Sequence, residues 1–216
     1  MNGVFSDNAI VLKAEPYSEF DRRLVLLTKD HGKVTAFAKG ARRKGNRFTA
    51  GTDYFCFGKF QMYTGANSYS LGDVHIVNYF EELRLDMNKC MYGMYFLEVC
   101  DFLCREENDE EDMLVLLYQS LRALISDSFN NTFVKLVFEL KTMMLGGEFN
   151  LSIKNITSGA SYTLNYLYSV QPKKVFSFNI TPEIFRELTD ICEMQKKTIW
   201  KHKFNSEDLL KTIENC

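Results

Sequence analysis

The hydrophobic pattern of this chain changes its period near residue 80, and that change constrains the fold more than any other feature of the sequence. Before it, five short segments carry β-branched, aromatic and alternating apolar residues between turn residues, a pattern typical of antiparallel strands. After it, apolar residues recur three and four positions apart, as on the buried face of a helix. The sequence therefore predicts an α+β fold, with a small closed or sandwiched antiparallel sheet in 1–80 and a helical domain in 81–216.

Turn residues separate the predicted strands. The tetrapeptide Lys-Asp-His-Gly ending at Gly32 predicts a hairpin, because glycine readily adopts the positive φ that such a turn needs. Gly72 interrupts the last strand and predicts a bulge there. The strand segments are 8–16, 22–41 (two strands), 53–64 and 68–80.

Helical periodicity dominates the rest of the chain, except in residues 148–181. That stretch has no clean period and is predicted to be a loop with a short hairpin. Farther on, Thr181 followed by Pro182 predicts a capped helix start. The helical segments are 83–105, 114–125, 133–144 (ending at Gly146-Gly147), 181–195 and 205–216.

The formal net charge of −2 conceals an uneven distribution. Residues 1–80 hold 11 Lys and Arg against 7 Asp and Glu, a net charge of +4. Residues 81–150 hold 6 against 14, net −8, and residues 151–216 hold 9 against 7, net +2. The positive charge of residues 1–80 and the negative charge of residues 81–150 predict two surfaces with different partners.

Two observations concern the cellular location of the protein. The longest charge-free apolar run, 90–97, is far shorter than the ~20 residues that cross a bilayer, and the N-terminus lacks the pattern of a signal peptide. We therefore expect a cytoplasmic protein with no membrane partner. No two of the six cysteines have Cys-x-x-Cys spacing, which favours buried thiols over disulfides or a metal site.

Residues 38–48, AKGARRKGNRF, carry five basic side chains and no acid. Phosphate binding requires several cations without neighbouring acids, whereas charge alone also leaves open a solvated loop with no ligand. Aromatic residues near the loop in sequence are candidates for stacking on bases. The candidate DNA contacts are Lys33, Lys39, Arg42, Arg43, Lys44 and Arg47, with Tyr17 and Phe48 as candidate stacking rings.

The basic loop belongs to a longer pattern that resembles the RecO family of bacterial DNA repair and recombination mediators. An apolar strand is followed by Tyr-x-Glu-x-Asp, a strand, Thr-Lys-x-x-Gly, a strand and Lys-Gly-Ala-Arg-Arg, and the likeness continues in order to about residue 150. The matching residues are Tyr17, Glu19, Asp21, Thr28, Lys29, Gly32, Lys39, Gly40, Ala41, Arg42 and Arg43.

The resemblance implies an N-terminal OB-fold that binds single- and double-stranded DNA, followed by a helical domain with a small insertion that usually holds zinc. It also implies strand annealing, and cooperation with RecR in loading RecA onto strands coated with single-stranded DNA-binding protein. A cytoplasmic, nucleoid-associated location and contact with the tail of that coating protein belong to the same expectation.

This chain departs from the family pattern in the insertion. Asn155 and Ser158 stand where the first Cys-x-x-Cys pair often falls, and no second pair appears before Thr181. Because Asn and Ser are poor zinc ligands, we predict that 148–181 is a degenerate, zinc-free insertion held by packing. The aromatic residues that could hold it are Tyr162, Tyr166, Tyr168, Phe176 and Phe178.

No motif predicts catalysis. The acidic run 105–112 is typical of a solvated turn, the three histidines are isolated, and no phosphate-binding loop motif is present. We therefore predict a non-enzymatic DNA-binding mediator with no catalytic residue, metal or cofactor. The alternative is an adaptor whose basic loop binds an acidic protein tail. Near the C-terminus, Trp200 is predicted to lie in the core, and the surrounding lysines are a candidate extension of the basic surface: Lys196, Lys197, Lys201 and Lys203.

Overall fold

A computed structural model describes residues 3–65 and 68–214. Its N-terminal part is a closed five-stranded barrel with the strand order β1-β2-β3-β5-β4, which confirms the predicted barrel. Successive strands alternate in direction, but an odd number of strands cannot close without one parallel pair. That pair is β3 with β5, so the predicted wholly antiparallel barrel is corrected at this one seam. The strands are β1 (Val4–Pro16), β2 (Arg22–Thr28), β3 (Lys33–Ala38), β4 (Phe57–Thr64) and β5 (Tyr69–Asn78).

The predicted bulge at Gly72 is confirmed. The pairing of β4 with β5 shifts register there, so that Gly72 faces no residue of β4. A Cβ at this position would lie 2.3 Å from Cε2 of Tyr63, so a larger residue here would displace the Tyr63 ring.

The barrel has a hydrophobic core of its own and also packs against the helices. Alternate residues of its strands point inward, together with Phe48 from a short helix, α1 (Phe48–Gly51), in the β3–β4 connection. Ile10, Val25 and Leu27 belong instead to the core of the helical part. One outer face of β1 and β2 is thereby covered.

Seven helices follow the barrel in the described part of the chain. The first predicted helix is split at Asp86, whose carboxylate accepts a hydrogen bond from the Lys89 N–H and caps the second piece. As predicted, Thr181 caps the helix that begins at Pro182. The helices are α2 (Glu81–Leu85), α3 (Met87–Leu103), α4 (Glu111–Ile125), α5 (Asn131–Leu145), α6 (Ser158–Ser169), α7 (Pro182–Ile199) and α8 (Asn205–Glu214).

Residues 148–181 contain helix α6 and a 3₁₀ turn, so the predicted hairpin is wrong. Partners distant in sequence hold both ends of α6. At its start, Thr157 donates from its N–H and from Oγ1 to the carboxylate of Glu187 on α7, at 2.7 and 2.5 Å. At its end, Nζ of the buried Lys141 on α5 donates to the Leu167 carbonyl at 2.9 Å and the Val170 carbonyl at 2.7 Å. The hydrophobic periodicity of this segment cannot predict contacts with residues so distant in sequence.

Aromatic packing completes the attachment of this segment. The ring of Phe178 makes edge contacts with Phe133 on α5 and with Tyr166 on α6. Tyr162 and Tyr168 were predicted to take part in this packing, but they are 76% and 57% exposed and do not.

The helical part also encloses an ion cluster. Lys196 on α7 lies 2.7 Å from Glu139 on α5, 3.0 Å from Glu193 and 2.7 Å from Glu207 on α8. Burial lowers and the carboxylates raise the pKa of Lys196, and the net shift is upward because the carboxylates prevail. Lys196 is therefore a charged residue of the interior, and its predicted place on the basic surface is wrong. Trp200 is buried as predicted.

Candidate nucleic-acid interface

Two loops at one end of the barrel form a single surface, the basic rim, which consists of residues 17–21 and 39–47. Gly40, whose φ of +67° suits glycine, donates its N–H to the Asp21 carboxylate at 2.7 Å. That hydrogen bond holds the pKa of Asp21 below its usual range. Two elements of the Tyr-x-Glu-x-Asp and Lys-Gly-Ala-Arg-Arg patterns are thus joined directly.

Arg42 forms a second set of hydrogen bonds between the two loops. Its backbone N–H donates to the Phe20 carbonyl at 2.9 Å, and its Nη1 donates to the Ser18 carbonyl at the same distance. A guanidinium has five N–H donors, so most donors of Arg42 are left for another acceptor. The side chain is exposed and held in place by its own chain.

The other rim cations differ in how far they are neutralised. Arg43 lies over the Phe20 ring, with its Cζ 4.6 Å from the centroid, and forms no ion pair with any residue that the structure describes. Arg47 pairs with Asp73 at 3.3 Å, but both side chains are more than half exposed, so the pair is a weak one. Lys39 and Lys44 are exposed and enter no ion pair with any residue that the structure describes.

An aromatic platform adjoins the rim. Tyr17 is 63% exposed, and its ring centroid lies 4.5 Å from that of Phe37 on the outer face of β3. Sequence reasoning selected Tyr17 and also noted Phe37 among the aromatic residues near the loop, but it missed Phe20. A signal for Phe20 was available, since this residue stands within the Tyr-x-Glu-x-Asp pattern.

Two candidate contacts do not belong to this surface. Lys33 lies at the far end of β3, where it donates to the Asp101 carbonyl and lies 3.3 Å from Oδ1 of Asp101, whose Oδ2 pairs with Lys13 at 2.7 Å. These contacts join the barrel to α3. Phe48 is only 7% exposed, because it closes one end of the barrel beneath the guanidinium of Arg47. Its ring has no face free for a base.

The structure also locates the thiols and carboxylates. Cys90 is half-buried and the other four described cysteines are buried free thiols. Burial raises the pKa of Cys192 and of Cys100 well above the ordinary value. Within 3–65 and 68–214, three ligand atoms converge only at Glu139, Glu193 and Glu207, the carboxylates that surround Lys196.

Family comparison agrees with the two-part architecture. Residues 1–80 match a family model described as "Recombination protein O N terminal", and residues 84–152 match "Recombination protein O C terminal". The chain belongs to the RecO family. No helix in its described part is long and apolar enough to cross a bilayer.

RecO relatives differ in how much of their length is matched. "DNA repair protein RecO" of Clostridium novyi is 33% identical over 144 residues, 67% of this chain and 56% of that protein. The protein of the same name from Moorella thermoacetica is 31% identical over 147 residues, which cover 68% of this chain and 54% of its own. The chain thus spans little more than half of these two relatives. With the RecO of Acetivibrio thermocellus, 22% identity extends over 96% of both chains.

Proposed function

We propose that this protein binds single- and double-stranded DNA at the basic rim and acts as a non-enzymatic mediator of recombination. One observation carries the proposal: four exposed cations of the rim, Lys39, Arg42, Arg43 and Lys44, enter no ion pair with described residues and lie beside the exposed ring of Tyr17, which already packs on a second ring. Cations alone fit any polyanion, whereas cations beside a stacking platform fit a polynucleotide. The proposed contacts are Lys39, Arg42, Arg43, Lys44 and, more weakly, Arg47, with Tyr17 stacking on a base.

The rim is suited to hold phosphates without reading sequence. Its cations lie on loops, and two of them, Arg42 and Arg43, are oriented by contacts within the chain, which lowers the entropy lost on binding. Phosphate contacts carry no base information, so binding should tolerate any sequence. Neutralising the charge of two strands lowers their repulsion, and base pairing can then proceed without a catalytic residue.

Partner proteins are proposed from family membership together with charge. RecR, the tail of single-stranded DNA-binding protein and, indirectly, RecA are the partners we propose, at the nucleoid in the cytoplasm. The net charge of −8 in residues 81–150 makes that part unsuited to DNA and suited to proteins.

The test is oligonucleotide binding by fluorescence anisotropy across a salt series. Because Lys39 and Lys44 make no ion pair among the described residues, Lys39→Ala with Lys44→Ala removes charge without loosening the loop. Loss of two phosphate contacts should make the slope of log K against log salt shallower by about 1.4 for single strands. The control is Lys173→Ala with Lys174→Ala, which removes two exposed lysines from the 3₁₀ turn that follows α6.

Three results would decide the matter. A shallower slope for the rim variant and an unchanged slope for the control support the proposal. Equal effects of both variants would show that binding depends on net charge alone, and would refute the proposal that the basic rim is the binding site. Negligible binding of DNA at moderate salt, with binding of an acidic peptide retained, would favour the adaptor instead.

A further inference from the structure

The exposed ring of Tyr17 adjoins the cations of the basic rim but has no role in binding phosphate. The residue is 63% exposed, and its ring lies against Phe37 with an angle of 56° between the two planes. Phe37 is half-buried on the outer face of β3, so it supports the Tyr17 ring from the side of the barrel. Most of the rest of the ring faces solvent.

The backbone around Tyr17 is held in place as well. Its N–H donates to the Asp21 carbonyl at 3.1 Å, and the Asp21 N–H donates to Oγ of Ser18 at 3.2 Å, so residues 17–21 form a closed turn. The Asp21 carboxylate in turn accepts the hydrogen bond from Gly40. The ring therefore has a fixed place beside the cations, and less entropy is lost when a planar group stacks on it.

Single and double strands differ in what they offer to such a ring. In the interior of a duplex, the neighbouring base pairs cover both faces of every base, and exposing a face requires unstacking and unpairing. A single strand exposes the faces of its bases without that cost. Phosphates are present on both forms, so the cations of the rim can bind either one, whereas the ring can bind only an unpaired or terminal base.

The two contributions oppose each other, and their magnitudes are comparable. Counterion release favours the duplex by about sixfold for four contacts at ~0.1 M salt, because the salt slope is about 0.9 per contact on duplex and about 0.7 on single strands. Stacking of one base on an aromatic side chain strengthens binding by about 5- to 150-fold. Because only single strands gain from stacking, the ring is able to offset the greater charge density of the duplex.

From this arrangement we propose that Tyr17, positioned by Phe37, is the residue by which the basic rim distinguishes single strands from duplex and favours single strands. The inference rests on the proposed function, because it takes the rim to be the DNA site. It has a consequence for annealing: when two strands pair, the faces of their bases are withdrawn from the ring, and phosphate contacts alone remain. The paired product loses a contact that each unpaired strand had, which favours its release.

Competition binding separates the contribution of the ring from that of charge. A fluorescent oligothymidylate bound to the full chain is displaced by unlabelled oligothymidylate, whose bases are unpaired, or by a relaxed circular duplex, which has no ends on which a ring could stack. The measured quantity is the dissociation constant of the duplex divided by that of the single strand, both per nucleotide and at one salt concentration. We expect this ratio to exceed one for the parent protein.

Variants assign the ratio to the aromatic pair. Tyr17→Leu should lower it at least about fivefold, because the stacking contact is lost on single strands only. Tyr17→Phe keeps the ring and should keep the ratio, whereas Phe37→Leu should lower it by leaving the Tyr17 ring without its aromatic support. Tyr162→Leu is the matched control and should leave the ratio unchanged, since it removes an exposed tyrosine of α6 that lies outside the rim.

Lys39→Ala with Lys44→Ala distinguishes this inference from the proposed function. The double variant should weaken binding of both DNA forms without lowering the ratio, since the duplex loses at least as much per contact. If it weakens neither, the rim is not the DNA site and the proposed function fails.

Other results would overturn the specificity while leaving the rim as the DNA site. They are a weakening of both forms by the lysine variant together with an unchanged ratio for Tyr17→Leu, an equal fall of the ratio for Tyr162→Leu, and tighter binding of duplex than of single strands by the parent protein. An unchanged ratio for Phe37→Leu would overturn the part assigned to Phe37.

Discussion

The buried ion cluster permits a sharp test of the helical packing, through replacement of Lys196 by methionine. The side chains of Lys196 and Glu139 are 8% and 4% exposed, so the substitution leaves a carboxylate in the interior without its cation. Glu207, 12% exposed, loses the same partner and then repels Glu139. Methionine preserves the apolar stem, so the effect is one of charge.

Breaking a buried ion pair costs about 3–5 kcal/mol. Here the lower end applies, because the Tyr95 hydroxyl still donates to Glu139 at 2.6 Å and continues to stabilise its charge. We therefore expect Lys196→Met to lower the free energy of unfolding by about 3 kcal/mol at neutral pH. Adding Glu139→Gln should restore part of the loss, since the stranded charge is removed.

Urea unfolding followed by circular dichroism measures the effect. Lys203→Met is the control, because Lys203 also pairs with an acid of α8, Asp208, but the two side chains are 80% and 51% exposed. Such a pair is worth about 0–1 kcal/mol. If Lys196→Met cost no more than Lys203→Met, or if Glu139→Gln deepened the loss, buried charge would not explain the role of Lys196.

Further expectations concern the contacts that join the parts of the fold. Asp101→Asn should cost about 1–2 kcal/mol in urea unfolding, because Lys13 and Lys33 lose their shared carboxylate. Burial raises and the two ammonium groups lower the pKa of Asp101, with a net downward shift, so its contribution is present above the unfolded pKa and disappears as the pH falls through the folded value. An acid titration in which this variant and the parent lose stability in parallel would contradict this. Gly32→Ala should cost more than about 1 kcal/mol, since φ is +64° and a Cβ would lie 2.3 Å from a backbone carbonyl, and unchanged stability would contradict the close packing. Lys141→Met should speed amide exchange in α6 more than in α4, because three carbonyls at the end of α6 lose their donor, and equal protection would show that packing alone holds the helix.

The barrel and most helices could be predicted from the sequence because their signals are local. Alternation, the turn at Gly32, the bulge at Gly72 and the cap at Thr181 each act within a few residues of the element that they define. Helix α6 could not be predicted in this way, since its ends are held by Lys141 and Glu187 from other helices.

The candidate site was predictable only in part. Charge spacing selected the rim lysines and arginines together with Lys33 and Lys196, and proximity in sequence selected Phe48. The fold uses these last three residues for its own packing. A long cationic side chain turns toward whichever acid lies within reach, and Asp101, which pairs with Lys33, and Glu139, one of three partners of Lys196, are more than fifty residues away along the chain.

The amino-acid sequence by itself determined the strands, the helices other than α6, the family and the excess of positive charge at the front of the chain, because these depend on neighbours in sequence. The tertiary structure alone decided how α6 is held, which cations remain free for a partner and which aromatic ring is exposed. Those outcomes depend on which distant residues the folded chain brings together.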